Sequence, residues 1–305
     1  MKTLRLVLGD QLSRDLPSLA DLDPAKDLVL MAEVMSEITY VKHHKRKIAY
    51  LFSAMRHFAN SLGDDGIAVR YRRLDDPDNA GSLAGEVAAA IAAFGPDRIV
   101  ITAPGEYRLA DEMAGWQARF GLAVDIRADT RFLCSLDDFA EWAEGRKSLR
   151  MEFFYRDLRR RYQVLMEGDE PIGGKWNYDA DNRQPPKAGL AVPPPSSFAP
   201  DAITTEVLAL VEMRCADHFG QLARFDFAVT RDQALHVLDQ FIGERLSLFG
   251  TYQDAMIEGE PWMYHSHIGL YLNAGLLSPI EVIRAVERAY HSGDAPLNAV
   301  EGFIR

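Results

Sequence analysis

Cysteine is scarce in this sequence: Cys134 and Cys215 lie far apart, with no His or Cys nearby at metal-ligand spacing. That excludes a disulfide framework and a sulfur-ligated metal centre, and it marks both residues as structural thiols. Long apolar runs are missing too, none approaching the ~20 residues of a membrane-spanning helix. Met1 leads straight into a strand pattern without the basic-apolar-small layout of a leader peptide, so a cytoplasmic protein with no membrane partner is expected. Neither G-x-G-x-x-G nor a P-loop occurs, which argues against a dinucleotide or a nucleoside triphosphate. Positive charge is not in excess, the formal net charge being −11. Contact with nucleic acid is therefore confined to a local basic face, if it occurs at all.

The 305 residues are 48% hydrophobic, enough for a sizeable core and about two domains. Short apolar runs at Leu4 to Leu8, Leu28 to Ala32, Ile67 to Tyr71, Arg98 to Thr102 and Ala123 to Ile126 read as buried strands. Helical patterns separate them, clearest over 45–62, where Ile48, Leu51, Phe52, Met55, Phe58 and Leu62 recur at helix period. Alternation of this kind predicts an α/β doubly wound parallel five-stranded sheet over residues 1–145.

Such sheets hold ligands outside the carboxyl ends of their strands, where strand order reverses. That rule singles out Gly9, Asp10 and Gln11 after the first strand, Gly105 and Glu106 after the fourth, and Glu33, Met35, Glu37 and Tyr40 after the second. Glycine allows close backbone approach, and the remaining residues supply many acceptors and few cations, a setting for a neutral heterocycle bearing donors and hydroxyls. The same residues also suit turns and helix caps. The basic run from Lys42 to Lys47 reads as a solvated helix entry.

A denser cluster, Arg146, Lys147, Arg150, Arg156, Arg159, Arg160 and Arg161, falls on a predicted helix from Met151 to Leu165. Met151, Phe154, Leu158, Tyr162 and Leu165 form its apolar stripe, and Arg156, Arg159 and Arg160 share another face. Those cations suit a phosphate backbone or, equally, acidic residues of another domain. The connection that follows, from Gly173 to Pro195, is rich in Gly, Asn, Asp and Pro and forms the boundary segment, 146–203. Its Lys175, Trp176, Tyr178 and Arg183 interleave aromatics with cations, as suits unstacked bases or plain domain packing. From about residue 204 the pattern is helical. His265 to Ala274 reads as one helix stopped by Gly275, and Ser278-Pro279-Ile280-Glu281 is a capping box opening the next.

Taken in order, Leu6-Val7-Leu8-Gly9-Asp10-Gln11-Leu12, His43-His44-Lys45-Arg46-Lys47-Ile48, Phe52-Ser53-Ala54-Met55-Arg56-His57-Phe58, Gly173-Gly174-Lys175-Trp176-Asn177 and Ala295-Pro296-Leu297-Asn298-Ala299-Val300-Glu301-Gly302-Phe303-Ile304-Arg305 resemble the photolyase and cryptochrome family. The likeness is to its bacterial iron-sulfur branch of 6-4 photolyases and related cryptochromes, and it spans the whole chain. It implies an α/β antenna domain, a long interdomain loop, and over 204–305 the first part of an all-α domain for FAD. It implies 6,7-dimethyl-8-ribityllumazine as antenna chromophore, assigned by position to Gly9, Asp10, Gln11, Glu33, Met35, Glu37, Tyr40 and Gly105. His265, Ser266 and Gly269 match the segment that holds FAD phosphates, although His265 and Gly269 depart from its hydroxyl-bearing pattern.

The activity implied is light-driven reversal of a pyrimidine 6-4 photoproduct by an electron from reduced FAD. DNA with ultraviolet lesions is the partner, contacted by Arg156, Arg159, Arg160, Lys175, Tyr178 and Arg183, and the full-length protein is a monomer. A cryptochrome-like blue-light receptor and a chromophore-binding remnant are the alternatives. The family's catalytic residues and the four cysteines of its 4Fe-4S cluster lie beyond the point matched by Arg305. The resemblance thus implies a C-terminally truncated member, inactive alone, with no catalytic residue or metal ligand in these 305 positions.

Overall fold

The computed structural model describes residues 1–305. In chain order its elements are β1 (Thr3–Leu6), β2 (Leu28–Ala32), α1 (Met35–Thr39), α2 (Lys45–Asp64), β3 (Val69–Arg72), α3 (Leu83–Phe94), β4 (Arg98–Thr102), α4 (Tyr107–Ala114), α5 (Trp116–Phe120) and β5 (Ala123–Arg127). They continue with α6 (Leu136–Ala143), α7 (Met151–Tyr162), β6 (Met166–Glu167), β7 (Glu170–Pro171), α8 (Ala202–Arg214), α9 (Arg231–Glu244), α10 (Leu246–Tyr252), α11 (Gly269–Ala274), α12 (Pro279–His291) and α13 (Leu297–Ile304). No helix is long and apolar enough to cross a membrane.

The first compact unit comprises Met1–Thr130, Ser197–Arg231 and Asn273–Leu276. Its five strands are all parallel, in the order β3-β2-β1-β4-β5. The order reverses between β1 and β4, so the carboxyl ends of those two strands flank the crevice of a doubly wound sheet. One face is filled by Leu4, Leu6, Leu30, Val87, Ala90, Ile99, Ile101, Met113 and Trp116, all at most 1% exposed. Helix α3 shows why the layer forms where it does: Ser82 caps its start by accepting from Gly85 N, and Gly95, at φ 62°, closes its end in the left-handed region.

Helix α8 packs on α2 within this unit. Residues 197–231 therefore join the sheet's unit, whereas the sequence reading placed 204 onward in the helical part and ran the first domain to 145. Polar bonds hold this layer: Lys42 pairs with Asp217, Lys45 N donates to Phe219 O at 2.9 Å, and Arg46 donates to the carbonyls of Gln221 and Ala223. The basic run after Tyr40 is thus spent largely on fastening residues 217–223.

The second unit comprises Arg131–Ser196, Asp232–Leu272 and Leu277–Arg305. Its helices α7, α10, α12 and α13 enclose two buried acids. Glu301 accepts from Tyr155 Oη and Tyr178 N, both at 3.1 Å, and Glu287 accepts from Leu165 N at 2.7 Å. The predicted capping box is present, Ser278 accepting from Glu281 N with Pro279 in the first turn. Gly250 lies inside α10. A Cβ there would strike Asn182 Oδ1 and sit 2.9 Å from Ala299 Cα, so the glycine admits a close approach.

Candidate functional site

The carboxyl ends of β1 and β4 bring Gly9, Asp10 and Gln11 toward Ala103 to Glu106. A Cβ on Gly105 would sit 3.9 Å from Asp10 Oδ2, and one on Gly9 would press Met55 Sδ at 3.0 Å. Gln11, fully buried, spans the two strands: its Nε2 donates to Thr102 O (3.1 Å) and Ala103 O (3.3 Å), and its Oε1 accepts from Leu8 N. It shapes the crevice floor, with its amide nitrogen spent on two backbone carbonyls.

Glu33 has the same fate. Arg56 Nε and Nη2 donate to its two oxygens at 2.6 and 3.0 Å, Tyr71 Oη at 2.7 Å and Leu74 N at 2.9 Å. With Glu33 fully buried and Arg56 5% exposed, this is an internal ion pair joining β2, α2 and β3. Burial, then the Glu33 charge, raises the Tyr71 phenol. Sequence reasoning counted Glu33 among the free acceptors because its consumer, Arg56, sits 23 residues away on α2.

The rim of the crevice is where free chemistry remains. Met35 and Glu37 lie on α1, and Tyr40 caps its end, 46% exposed. Arg108, on α4, donates to Glu37 through Nη1 (3.1 Å) and Nη2 (2.6 Å), and to Glu106 through Nε (2.9 Å). Its guanidinium lies 4.3 Å from the Tyr40 ring centre. Hydrogen bonds to Glu37, then to Glu106, push its pKa further up. His43 meets Tyr40 edge-on at 5.3 Å, and burial lowers its pKa. Arg108 was missed in the sequence, since it lies six residues past the strand end; the E-x-R spacing of Glu106 and Arg108 is the signal that marks it. It offsets part of the charge of two carboxylates, which leaves a rim without an unpaired cation and with bare backbone at Gly9 and Gly105. Those features fit an uncharged heterocycle with hydroxyls better than a phosphate.

His265, Ser266 and Gly269 lie on or next to a loop rather than in the long helix expected. Met263 and His267 take φ 45° and 57°, which stops regular helix before α11, and α11 has only six residues. His267 Nε2 lies 3.1 Å from Trp262 O, and His265 meets Phe249 edge-on at 6.4 Å. A Cβ on Gly269 would meet nothing, so no close approach requires that glycine. By themselves these three residues do not fit a diphosphate.

The cations of the second unit divide. Arg159 is 2% exposed and donates to Val164 O (3.1 Å) and Leu165 O (2.6 Å), so it is an internal latch and not part of an outer basic face. The helical stripe alone had placed it outside. Arg156 and Arg160 remain outward, paired with Glu152 and Asp157. Lys175 Nζ stands 5.9 Å from the Tyr178 ring, and Arg183 pairs with Asp254 at 3.0 Å. Between α6 and α7 a cleft of about 570 Å³ is lined by Cys134, Asp138, Trp142, Phe154, Asp157 and Arg161, among others.

Sheet order and crevice define an α/β protein of the doubly wound type. More narrowly, the chain belongs to the deoxyribodipyrimidine photo-lyase-related protein family, whose model matches residues 5–227. It is 53% identical over all 305 residues to a (6-4) photolyase of Agrobacterium fabrum (strain C58 / ATCC 33970), and it spans 60% of that relative's length. It is 26% identical over 149 residues to an uncharacterized protein of Acanthamoeba polyphaga mimivirus, covering 48% of this chain and 74% of the other. Among solved structures, a bacterial class III photolyase from Agrobacterium tumefaciens matches with a TM-score of 0.59 at 14% identity, over 99% of this chain and 56% of that one. That last likeness speaks for the fold.

Proposed function

We propose that this chain serves light-driven DNA repair of the (6-4) photolyase type, carrying an antenna crevice and part of a DNA-contacting surface. The observation that carries the reading is the 53% identity, over all 305 residues, to a protein named for that activity. The crevice supports the antenna half. Gly9, Asp10 and Gly105 offer backbone and acceptors, while Glu37, Tyr40 and Met35 frame the rim under Arg108. A neutral chromophore such as 6,7-dimethyl-8-ribityllumazine meets no uncompensated cation there. When bound, it would collect light; the protein's part is to orient it and exclude water.

For DNA with an ultraviolet lesion, Arg156, Arg160, Lys175 and Tyr178 are the contacting residues, with Arg183 at the edge through its pair with Asp254. Arg159 acts behind them. FAD is left without a site on His265, Ser266 and Gly269 alone. The protein purified from its own cells should reverse a defined 6-4 photoproduct under blue light. Light-dependent gene expression without lesion turnover would move the reading to a cryptochrome-like receptor. Fluorescence titration with the lumazine tests the crevice separately, and absence of stoichiometric binding would remove the antenna half.

A further inference from the structure

Three guanidiniums converge on one indole. The Cζ of Arg160 lies 4.5 Å from the Trp176 ring centre, that of Arg159 5.3 Å and that of Arg156 5.4 Å. Arg159 is the inner member, its charge fixed by backbone carbonyls. Arg156 and Arg160 are the outer members, with 28% and 45% of their side chains exposed.

The indole is itself held in place. Gly173 and Gly174 take φ 75° and 72°, and a Cβ on Gly173 would strike the Tyr178 hydroxyl, so the loop has one tight course before Lys175 and Trp176. Like charges this close repel, and the ring's negative faces offset part of that repulsion. Glu152 and Asp157 offset more of it, but both are exposed, and pairs of that kind are readily exchanged for a stronger anion. Arg156 Nε is buried and has no partner. The result is a set of forks already ordered on an aromatic plate, which lowers the entropy cost of gripping phosphates.

We propose that Trp176 is a positioning residue that holds Arg156 and Arg160 as a preformed clamp on neighbouring phosphates of a nucleic-acid strand. This rests on the DNA-repair reading and gives its contact surface a mechanism. An uncharged residue thereby controls an ionic interaction. The test is binding of the full chain to a short duplex carrying a 6-4 photoproduct, followed by anisotropy at several salt concentrations.

W176L keeps bulk without a π face. It should weaken binding about tenfold near 100 mM salt and reduce the salt slope by about 1–2, at roughly 0.9 per phosphate contact. W176F restores a ring and should stay within about threefold of wild type. R160Q should lower the slope by about 1. In the folded wild type, DNA should also shift the emission component that W176F lacks, a readout independent of whether W176L folds.

Wild-type binding with unchanged affinity and slope in W176L, or with no change in Trp176 emission, overturns the clamp and leaves the DNA reading standing. Absence of salt-dependent binding by the wild type removes the DNA reading and the clamp with it.

Discussion

Replacing Glu33 with Ala tests whether that residue is structural or a ligand contact. The substitution deletes an acceptor that receives bonds from Arg56, Tyr71 and Leu74. It leaves the Arg56 guanidinium, 5% exposed, with the more exposed Glu206, 3.7 Å away, and Asp75 as its remaining carboxylate neighbours. Breaking a buried pair from one side costs about 3–5 kcal/mol, because a charge stays in the interior uncompensated. In a unit of this size each kcal/mol moves Tm by about 2–4 °C, so E33A should melt roughly 6–20 °C lower. Removing both charges in E33M/R56M should recover most of that loss, since apolar residues of similar volume replace a buried pair at little cost. Calorimetry on the four proteins of the cycle gives the coupling. A loss under about 1 kcal/mol in E33A, the level of an exposed pair, would refute the structural role, as would weakened lumazine binding with unchanged melting.

Three more outcomes follow from the geometry. Hydrogen bonds from Arg127, then Arg5, hold the Asp21 carboxyl well below the usual carboxylate range. Its contribution is complete above the unfolded value of about 4 and is lost as pH falls through the folded one, so D21N should flatten the acid limb of a melting-versus-pH series below about pH 4. Gly250→Ala should destabilise by about 1–3 kcal/mol in urea titrations through overpacking against Asn182 and Ala299. Helix propensity alone would predict a gain of about 1 kcal/mol. R108M should free Glu37 and Glu106 to repel each other and lower lumazine affinity about tenfold, about 1.4 kcal/mol, in a fluorescence titration; unchanged affinity would remove Arg108 from the rim.

The sheet was legible because burial on both faces makes a parallel strand a continuous apolar run, as in Leu28 to Ala32 and Arg98 to Thr102, both found at those bounds. Strand β3, half-buried throughout, was begun two residues early and ended one early for the same reason in reverse. The crevice followed from topology, yet the availability of its acceptors did not. Whether Glu33 or Gln11 is free depends on Arg56 and on the Thr102 and Ala103 carbonyls, which only the folded chain brings near. Arg159 shows a related limit: helical spacing puts it beside Arg156 and Arg160, but carbonyls at 164 and 165, past the helix end, draw it inward. The stretch from His265 was read as a helix because propensity does not register the left-handed turns at Met263 and His267.

The bond from Tyr155 to Glu301 spans 146 residues of chain. At about 5–20 residues per second of synthesis, α7 waits roughly 7–30 s on the ribosome before its buried partner emerges. During that interval the basic helix stands without its core, while the five-stranded sheet, complete by Arg127, is free to form and takes up residues 197–231 and 273–276 as they emerge. Birth order thus separates the halves in time: the crevice is ready early, and the Trp176 surface matures last, exposed to chaperones and stray polyanions alike.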